Sequence, residues 1–240
     1  MTTTMSVAIT VISMSEAGAI YRLMSWLSPA YPVGAFSYSH GLEYAVEAGL
    51  VRDRDSLIAW IGHIVQAGGG WLDAVLFARA YDAALAGDWP KIAEIAERGA
   101  AMRGTAELAL EASQQARAFV TITCAAWPDT PLSAAAKRPE LADMPYSVAL
   151  ALACSGNVSR ETSLLAFLQA FSANLVSAGV RLVPLGQTDG QKAQAALAPI
   201  VAQAAREAAD CPLDELGTSA IMVDWASAKH ETQYTRLFRS

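Results

Sequence analysis

Apolar residues recur every three or four positions through nearly every segment of this 240-residue chain, the spacing that places them on one face of an α-helix. The stripe is widest after Ser159, where Leu164, Leu168, Phe171 and Leu175 are too many to leave in water, so we expect the core helix there. Paired alternating runs, which would indicate β-hairpins, are missing from the sequence. We therefore predict an all-α protein, a single-domain helical bundle of about ten helices.

Composition limits what the surface of such a bundle can do. Apolar residues make up 53% of the chain and charged residues 17%, against about a quarter in ordinary soluble domains, so we expect a partner to cover part of the surface. The formal charge of −6 argues against a nucleic acid partner. Three separated cysteines without a CxxC pair predict neither a disulfide framework nor a zinc site, and they fit a cytoplasmic location. Apolar stretches look too short for a membrane-spanning helix, so we expect no membrane contact.

Breaker residues divide the chain into helices without dividing it into domains. The longest connection is the proline-rich stretch from Trp127 to Pro145, which is short for a linker between domains. We therefore expect residues 15–240 to form one domain. Residues 1–14, which lack a secretory pattern, are expected to be a flexible N-terminal tail.

Several local signals could be misread as strands or nucleotide loops. The run Val120–Thr123 has strand propensity, but helical spacing on both sides predicts helix. Gly68–Gly70 lacks the preceding strand and the following Lys-Ser or Lys-Thr of a phosphate loop, so we interpret it as a helix junction, and Gly186–Lys192 has the wrong spacing for the same motif. Gly179 and Pro184 are expected to interrupt the helix that Ser159 begins.

A polar and aromatic segment, Ser28–Glu43, stands out among these plain amphipathic helices. Two prolines stop the preceding helix and make the chain turn. Four ring side chains follow within ten residues: Tyr31, Phe36, Tyr38 and His40. Capping a helix does not need four rings. Phe36 is expected to be buried between two helices, whereas a structural and a functional role are equally open for Tyr38 and His40.

The chain offers few residues for catalysis. Its three histidines, His40, His63 and His230, lack the spacing of a metal site; hydrogen bonding is the expected role of the first and last, and a core or boundary position is expected for His63. No serine has the flanking glycines of a nucleophile elbow. Acidic pairs such as Asp53 with Asp55 fall at helix starts, where the helix dipole explains them. We predict no enzyme activity, no cofactor and no metal site.

The final segment, residues 229–240, contains more recognisable chemistry than chain ends normally do. Its charged side chains are Lys229, Glu231, Arg236 and Arg239. Tyr234, Leu237 and Phe238 are anchors of the kind that dominate interfaces, whereas disordered tails are poor in aromatic residues. We expect this segment to bind a partner. We also expect it to be mobile in the isolated protein and to order on binding, with Arg236 pairing with a carboxylate or backbone carbonyls.

Three stretches resemble the UreF family of urease accessory proteins. They are PVGAFSYSHGLE within Ser28–Glu43, SAGVRLVPLGQTDGQ from Ser177 to Gln191, and AKHETQYTRLFRS at residues 228–240. The resemblance implies an all-α fold and a homodimer that binds the accessory protein UreD or UreH. It also implies recruitment of the GTPase UreG, so that nickel reaches apo-urease and the chain is associated with nickel.

The residues in these stretches define a predicted partner-binding set. Arg181 falls where the family has a basic residue implicated in its working surface. The full set is Tyr38, His40, Glu43, Arg181, Gln187, His230, Glu231, Tyr234, Arg236, Phe238 and Arg239.

Two functional hypotheses follow from the resemblance. One is a scaffold that assembles the other proteins. The other is a GTPase-activating regulator, in which Arg181, Arg236 or Arg239 completes the active site of UreG. A helical enzyme with an unrecognised site is a third reading, but it would need clustered titratable groups that the sequence does not display.

Overall fold

The computed structural model describes residues 14–240, and these residues form helices with no β-strand among them. The prediction of an all-α fold is confirmed. The predicted N-terminal tail, residues 1–14, lies outside the described residues except for Met14, where the first helix begins. The α-helices of the described part are α1 (Met14–Trp26), α2 (Leu42–Glu47), α3 (Arg54–Ala67), α4 (Gly69–Ala86), α5 (Trp89–Ala101), α6 (Ala106–Ala126), α7 (Pro131–Ala135), α8 (Tyr146–Cys154), α9 (Arg160–Leu182), α10 (Gln187–Asp210) and α11 (Ile221–His230).

Short polar side chains begin several of these helices. The Asp53 carboxylate accepts the backbone N–H of Ser56 at 2.8 Å, and the Ser56 hydroxyl accepts the backbone N–H of Asp53, which completes a capping box at α3. Asp88 caps α5 and Ser159 caps α9 through the same kind of side-chain contact. The run Val120–Thr123 lies inside α6, so helical context overrides its strand propensity.

The centre of the bundle is α8 rather than α9. Every residue of α8 from Ser147 to Cys154 is buried, because this short helix is apolar on all sides and packs among α4, α6 and α7. The expectation that α9 would be the core helix is wrong in this respect. That helix buries one face, while Leu165 on its other side is 43% exposed.

Gly179 does not interrupt α9, contrary to expectation, and the helix continues to Leu182. The glycine allows a close approach of α3: a Cβ atom at position 179 would stand 2.5 Å from the Leu57 side chain. Pro184 follows the end of the helix. The next helix, α10, begins at Gln187 without a side-chain cap.

Helix α9 also has the length and apolar composition of a membrane-spanning helix, which the sequence analysis did not anticipate. Half of its most apolar window is buried against other parts of the protein. Core helices of water-soluble proteins meet the same criteria, and α9 packs against α10, α3 and α4.

Candidate functional site

The first and last of the three stretches meet through backbone hydrogen bonds. The N–H of Ser39 donates to the carbonyl oxygen of Ser240 at 2.8 Å, and the N–H of Arg239 donates to the carbonyl oxygen of Ser37 at 2.7 Å. The Ser39 hydroxyl also donates to the Ser240 carbonyl oxygen. Residues 37–39 and 239–240 therefore lie side by side, although nearly the whole chain separates them in sequence.

The second stretch reaches the same place through Arg181, in the last turn of α9. Its Nη2 donates to the carbonyl oxygen of Phe36 at 3.1 Å, and its Nε donates to that of Ser177 at 3.2 Å. The guanidinium carbon lies 4.5 Å from the centre of the Phe238 ring, which is a cation–π contact. Partial burial lowers the pKa of Arg181. All three stretches thus contribute to one surface.

Buried Glu43 anchors the final segment. One oxygen of its carboxylate accepts the backbone N–H of Leu237 at 2.7 Å, and the other accepts that of Phe238 at 2.9 Å. The second oxygen also lies 3.2 Å from Nε2 of His230. A carboxylate that receives two backbone donors fixes the direction of the chain, so Leu237 points outward while Phe238 packs beneath Arg181.

His230, the last residue of α11, is completely buried between two carboxylates. Its Nδ1 lies 2.7 Å from Glu107 of α6, opposite the contact of Nε2 with Glu43. The other oxygen of Glu107 accepts a hydrogen bond of 2.8 Å from Arg236. These four side chains form what we call the anchor cluster: Glu43, Glu107, His230 and Arg236.

His40 belongs to a second buried network next to the anchor cluster. Its Nε2 lies 3.1 Å from Glu111, which also accepts hydrogen bonds from Gln115 at 2.8 Å and from the hydroxyl of Ser240 at 3.1 Å. Burial disfavours the charged ring, but the Glu111 carboxylate outweighs burial and raises the pKa of His40. The ring packs edge-on against Phe171, with 4.9 Å between ring centres.

The backbone of His40 is left-handed, with φ of 53°, and no other residue except glycine has a positive φ within residues 14–240. Gly41 follows with φ of 71°, and a Cβ atom there would stand 2.5 Å from the backbone nitrogen of Ser227. Two successive left-handed residues turn the chain sharply into α2 and let it touch α11. This turn brings Glu43 and His230 together.

A buried ion pair lies beyond His40. Arg103 donates to both oxygens of Asp73, at 2.7 and 3.0 Å, and the Ser147 hydroxyl donates to the same carboxylate at 2.6 Å. Burial alone would raise the pKa of Asp73, but Arg103 reverses that effect and lowers it. A cavity of about 290 Å³ opens beside these groups, and its lining includes Trp26, Tyr31, His40, Arg103, Glu111 and Phe171.

The predicted partner-binding residues divide into two groups. Exposed ones are Arg181, Gln187, Glu231, Tyr234, Arg236 and Arg239. Buried ones are Tyr38, His40, Glu43, His230 and Phe238. In this structure the chain itself covers the side chains of the buried group, and direct partner contact by either group stays a prediction. Gln187 stands apart as the first residue of α10.

Three further expectations are corrected. Phe36 is 65% exposed rather than buried between two helices, and its backbone carbonyl oxygen accepts a hydrogen bond from Arg181. His63 lies on the exposed side of α3. The final segment is not free in the isolated protein: Phe238 and Ser240 are buried, and Arg236 already has its carboxylate in Glu107.

Sequence reasoning missed Glu107 and Glu111, the acids that pair with the two buried histidines. A signal was present, since Glu107, Glu111 and Gln115 recur every four residues and continue into Phe119 on the buried side of α6. Polar residues on a buried face need partners. Within residues 14–240, no group of three or more histidine, cysteine, aspartate or glutamate side chains could hold a metal ion.

Comparison with known proteins agrees with these motifs. A family model described as UreF matches residues 51–198. The urease accessory protein UreF of Granulibacter bethesdensis is 49% identical over 92% of this chain and 94% of its own length. The UreF of Rhodopseudomonas palustris strain HaA2 is 47% identical over 95% of this chain and 97% of its own length. With a family model covering more than half of the chain and relatives covering nearly all of it, the chain belongs to the UreF family of urease accessory proteins.

Proposed function

We propose that this protein acts in the cytoplasm as a scaffold for urease maturation and catalyses no reaction itself. As a homodimer it would bind UreD or UreH and recruit the GTPase UreG, so that nickel reaches apo-urease. Family membership supports a role in urease maturation. The partners come from the resemblance of the three stretches, and nickel is the cargo of the proposed complex.

The observation that carries this proposal is the convergence of all three stretches on one exposed surface. Tyr234 is fully exposed and Leu237 is 75% exposed in the final segment, which also carries exposed Arg239 and whose Phe238 ring lies against exposed Arg181. Large apolar side chains held on an ordered backbone are suited to interface anchors, because little conformational entropy remains to be lost on binding. The arginines favour a partner with an acidic rim around an apolar pocket.

The arrangement of the arginines favours a scaffold over a GTPase activator. An arginine finger must reach into the active site of another protein. Arg181 is held by two backbone carbonyls and the Phe238 ring, and Arg236 is paired with Glu107. Arg239 is exposed, and its guanidinium contacts the neutral side chains of Gln114, at 3.4 Å, and Tyr38, so it is the best candidate for the alternative hypothesis.

The test replaces the two exposed anchors together, Tyr234→Ser with Leu237→Ser, in the full chain coexpressed with UreD or UreH, UreG and apo-urease. We expect loss of partner capture and of urease activation with an unchanged melting temperature. Leu85→Ser is the matched control, because Leu85 is 60% exposed at the end of α4 and outside the three stretches. Wild-type capture by the double variant would refute this surface.

A separate measurement tests the hypothesis that the protein is a GTPase-activating regulator. GTP hydrolysis by UreG is followed with and without this protein. The scaffold hypothesis predicts no large acceleration. An increase of about a thousandfold that disappears in Arg239→Lys would instead establish the GTPase activator.

A further inference from the structure

The cavity of about 290 Å³ beside His40 has mostly apolar walls. Six aromatic side chains contribute to its lining: Trp26, Tyr31, Phe36, Tyr146, Phe167 and Phe171. An engineered apolar cavity of about 150 Å³ in another protein holds one benzene molecule, so this cavity has room for about two rings. Phe36 lines the cavity and is also exposed, which places an entrance beside the first of the three stretches. The size and lining are typical of a pocket for a small molecule.

Two polar groups of the lining lack hydrogen-bond partners among residues 14–240. Trp26 is 1% exposed, yet its Nε1–H group has no acceptor there. The Tyr146 hydroxyl makes no hydrogen bond within the same residues, and burial raises the pKa of Tyr146. An indole N–H group only donates, whereas a phenol hydroxyl donates or accepts. Leaving a buried donor unpaired is unfavourable, so an oxygen atom brought in by a ligand would stabilise both groups.

The rings that carry these two groups are held in place by the same neighbour, Phe119 of α6. Its ring centre lies 6.4 Å from that of Trp26 and 5.4 Å from that of Tyr146, and both contacts are edge-on. Trp127 also packs edge-on against Trp26, with 5.8 Å between ring centres. Turning either ring toward another acceptor in the protein would break these contacts. The two polar groups are therefore fixed features of the pocket.

The charged groups of the lining are already paired with one another. Arg103 donates to both oxygens of Asp73, at 2.7 and 3.0 Å. Glu111 lies 3.1 Å from His40 and accepts a hydrogen bond from Gln115. A charged ligand would have to break one of these pairs or enter the apolar space without a counter-charge, and either event is very unfavourable. The lining therefore favours an uncharged ligand.

We propose that this cavity binds a small uncharged aromatic molecule of about two rings, whose hydroxyl or carbonyl oxygen pairs with the Trp26 indole and the Tyr146 hydroxyl. The aromatic and aliphatic walls hold the rings, and the two polar groups orient the oxygen. This site does not rest on the proposed function, because it requires no partner protein. The Tyr234 and Leu237 variants test that function separately.

The probe for this site is 2-naphthol, titrated into the full-length protein beside 2-naphthoate, its charged counterpart of similar size. Proton–nitrogen NMR spectra report the indole N–H groups of the six tryptophans, and the spectrum of Trp26→Phe assigns the signal of Trp26. We expect 2-naphthol to shift this signal in a saturable manner. Binding of 2-naphthoate should be at least about tenfold weaker, because its carboxylate finds no free counter-charge.

Calorimetric titration of two variants tests the roles of the polar groups. Trp26→Phe and Tyr146→Phe remove the donor and keep a ring, and each should weaken 2-naphthol binding by about five- to tenfold. Tyr146→Phe should not lower the melting temperature, since the hydroxyl has no partner within residues 14–240. Trp225→Phe is the matched control, because Trp225 is 39% exposed and outside the lining, and it should bind like wild type.

Intermolecular NOEs in the wild-type protein keep the proposal testable if Trp26→Phe does not fold. We expect NOEs from 2-naphthol to the indole N–H proton of Trp26 and to the ring protons of Tyr146. A Trp26 signal that does not respond to 2-naphthol would overturn the proposal, as would NOEs only to residues outside the lining. Equal affinity for 2-naphthoate, or wild-type affinity in both Trp26→Phe and Tyr146→Phe, would overturn it too.

Discussion

The guanidinium of Arg181 lies 4.5 Å from the centre of the Phe238 ring, so the end of α9 and the final segment of the chain share one surface. Neither residue would hold this position alone. Arg181 is fixed by the carbonyl oxygens of Ser177 and Phe36, and Phe238 is fixed through its backbone by Glu43. The contact therefore joins two of the three stretches through residues of the remaining one.

Arg181→Ala should weaken capture of the accessory partner while lowering the free energy of unfolding by no more than about 1 kcal/mol, because the lost contacts are exposed. Arg181→Lys should recover little capture, since an ammonium group cannot stack flat on Phe238 and reach two carbonyls at once. Urea unfolding and pull-down measure the two effects. Equal capture by wild type and both variants would contradict this role.

Tyr38→Ala should behave differently, because the Tyr38 side chain is buried and its hydroxyl donates to Gln114 at 2.8 Å. Truncating a buried aromatic residue costs about 3 to 5 kcal/mol, so any loss of capture would accompany loss of stability. Tyr38→Phe, which removes only the hydroxyl, should cost about 1 kcal/mol and retain capture. Thermal melting distinguishes the variants; an unchanged melting temperature for Tyr38→Ala would show that the residue is not structural.

Glu43→Gln should destabilise the protein by about 2 to 3 kcal/mol, although the side chain keeps its shape. The amide has only one oxygen for the backbone N–H groups of Leu237 and Phe238, and its own N–H₂ group would face a donor. Glu97→Gln, on the exposed side of α5, is the matched control and should change stability by less than about 0.5 kcal/mol. Comparable effects of the two substitutions would argue against the anchoring role of Glu43.

Sequence reasoning identified the features that depend on neighbouring residues. Helical spacing and side-chain caps act within one or two turns, which is why the helix starts at Asp53 and Ser159 were predictable. The pairing of His230 with Glu107 was not predictable in the same way, because it joins residues far apart in sequence and depends on how α11 lies against α6. Gly179 was misjudged for the same reason, since its neighbour is Leu57 of another helix.

The candidate site shows the same difference between features set by neighbouring residues and features set by distant ones. The three stretches pointed to the correct region, but composition could not tell which side chains face outward. Phe36 was expected inside and is exposed, whereas Phe238 was expected to await a partner and is buried. In both cases the exposure of the side chain depends on tertiary contacts, because Arg181 holds the backbone of Phe36 and covers the ring of Phe238.

The stability of the protein should depend on pH through His40. The pKa of this buried histidine is raised above its ordinary value of about 6.5, so its contribution to stability is fully present below about pH 6.5 and is lost as the pH rises through the folded-state pKa. His40→Asn tolerates the left-handed backbone and carries no charge at any of these pH values. The free energy of unfolding of wild type should therefore approach that of His40→Asn as the pH rises. Because His230 is present in both proteins, a difference that stays constant with pH would exclude His40 as the source.

Gly41→Ala should separate the cost of a left-handed backbone from the cost of close packing. A Cβ atom at this position would stand 2.5 Å from the backbone nitrogen of Ser227, and φ is 71°. Gly49 has almost the same φ, 73°, but a Cβ atom there would have no atom within 4 Å, so Gly49→Ala carries the backbone cost of about 1 kcal/mol alone. Overpacking should make Gly41→Ala less stable than Gly49→Ala by a further ~1 to 3 kcal/mol.

The same substitution should also disturb the anchor cluster. Ser227 lies in α11 one turn before His230, so displacing Ser227 should also displace His230. His230 must stay between Glu43 and Glu107 to hold the final segment. Amide protection at Leu237 should therefore fall in Gly41→Ala and remain at the wild-type level in Gly49→Ala. Urea unfolding and hydrogen exchange measure the two consequences on the same samples. If both variants lose the same stability and keep the same protection, the contact between α2 and α11 does not position the final segment.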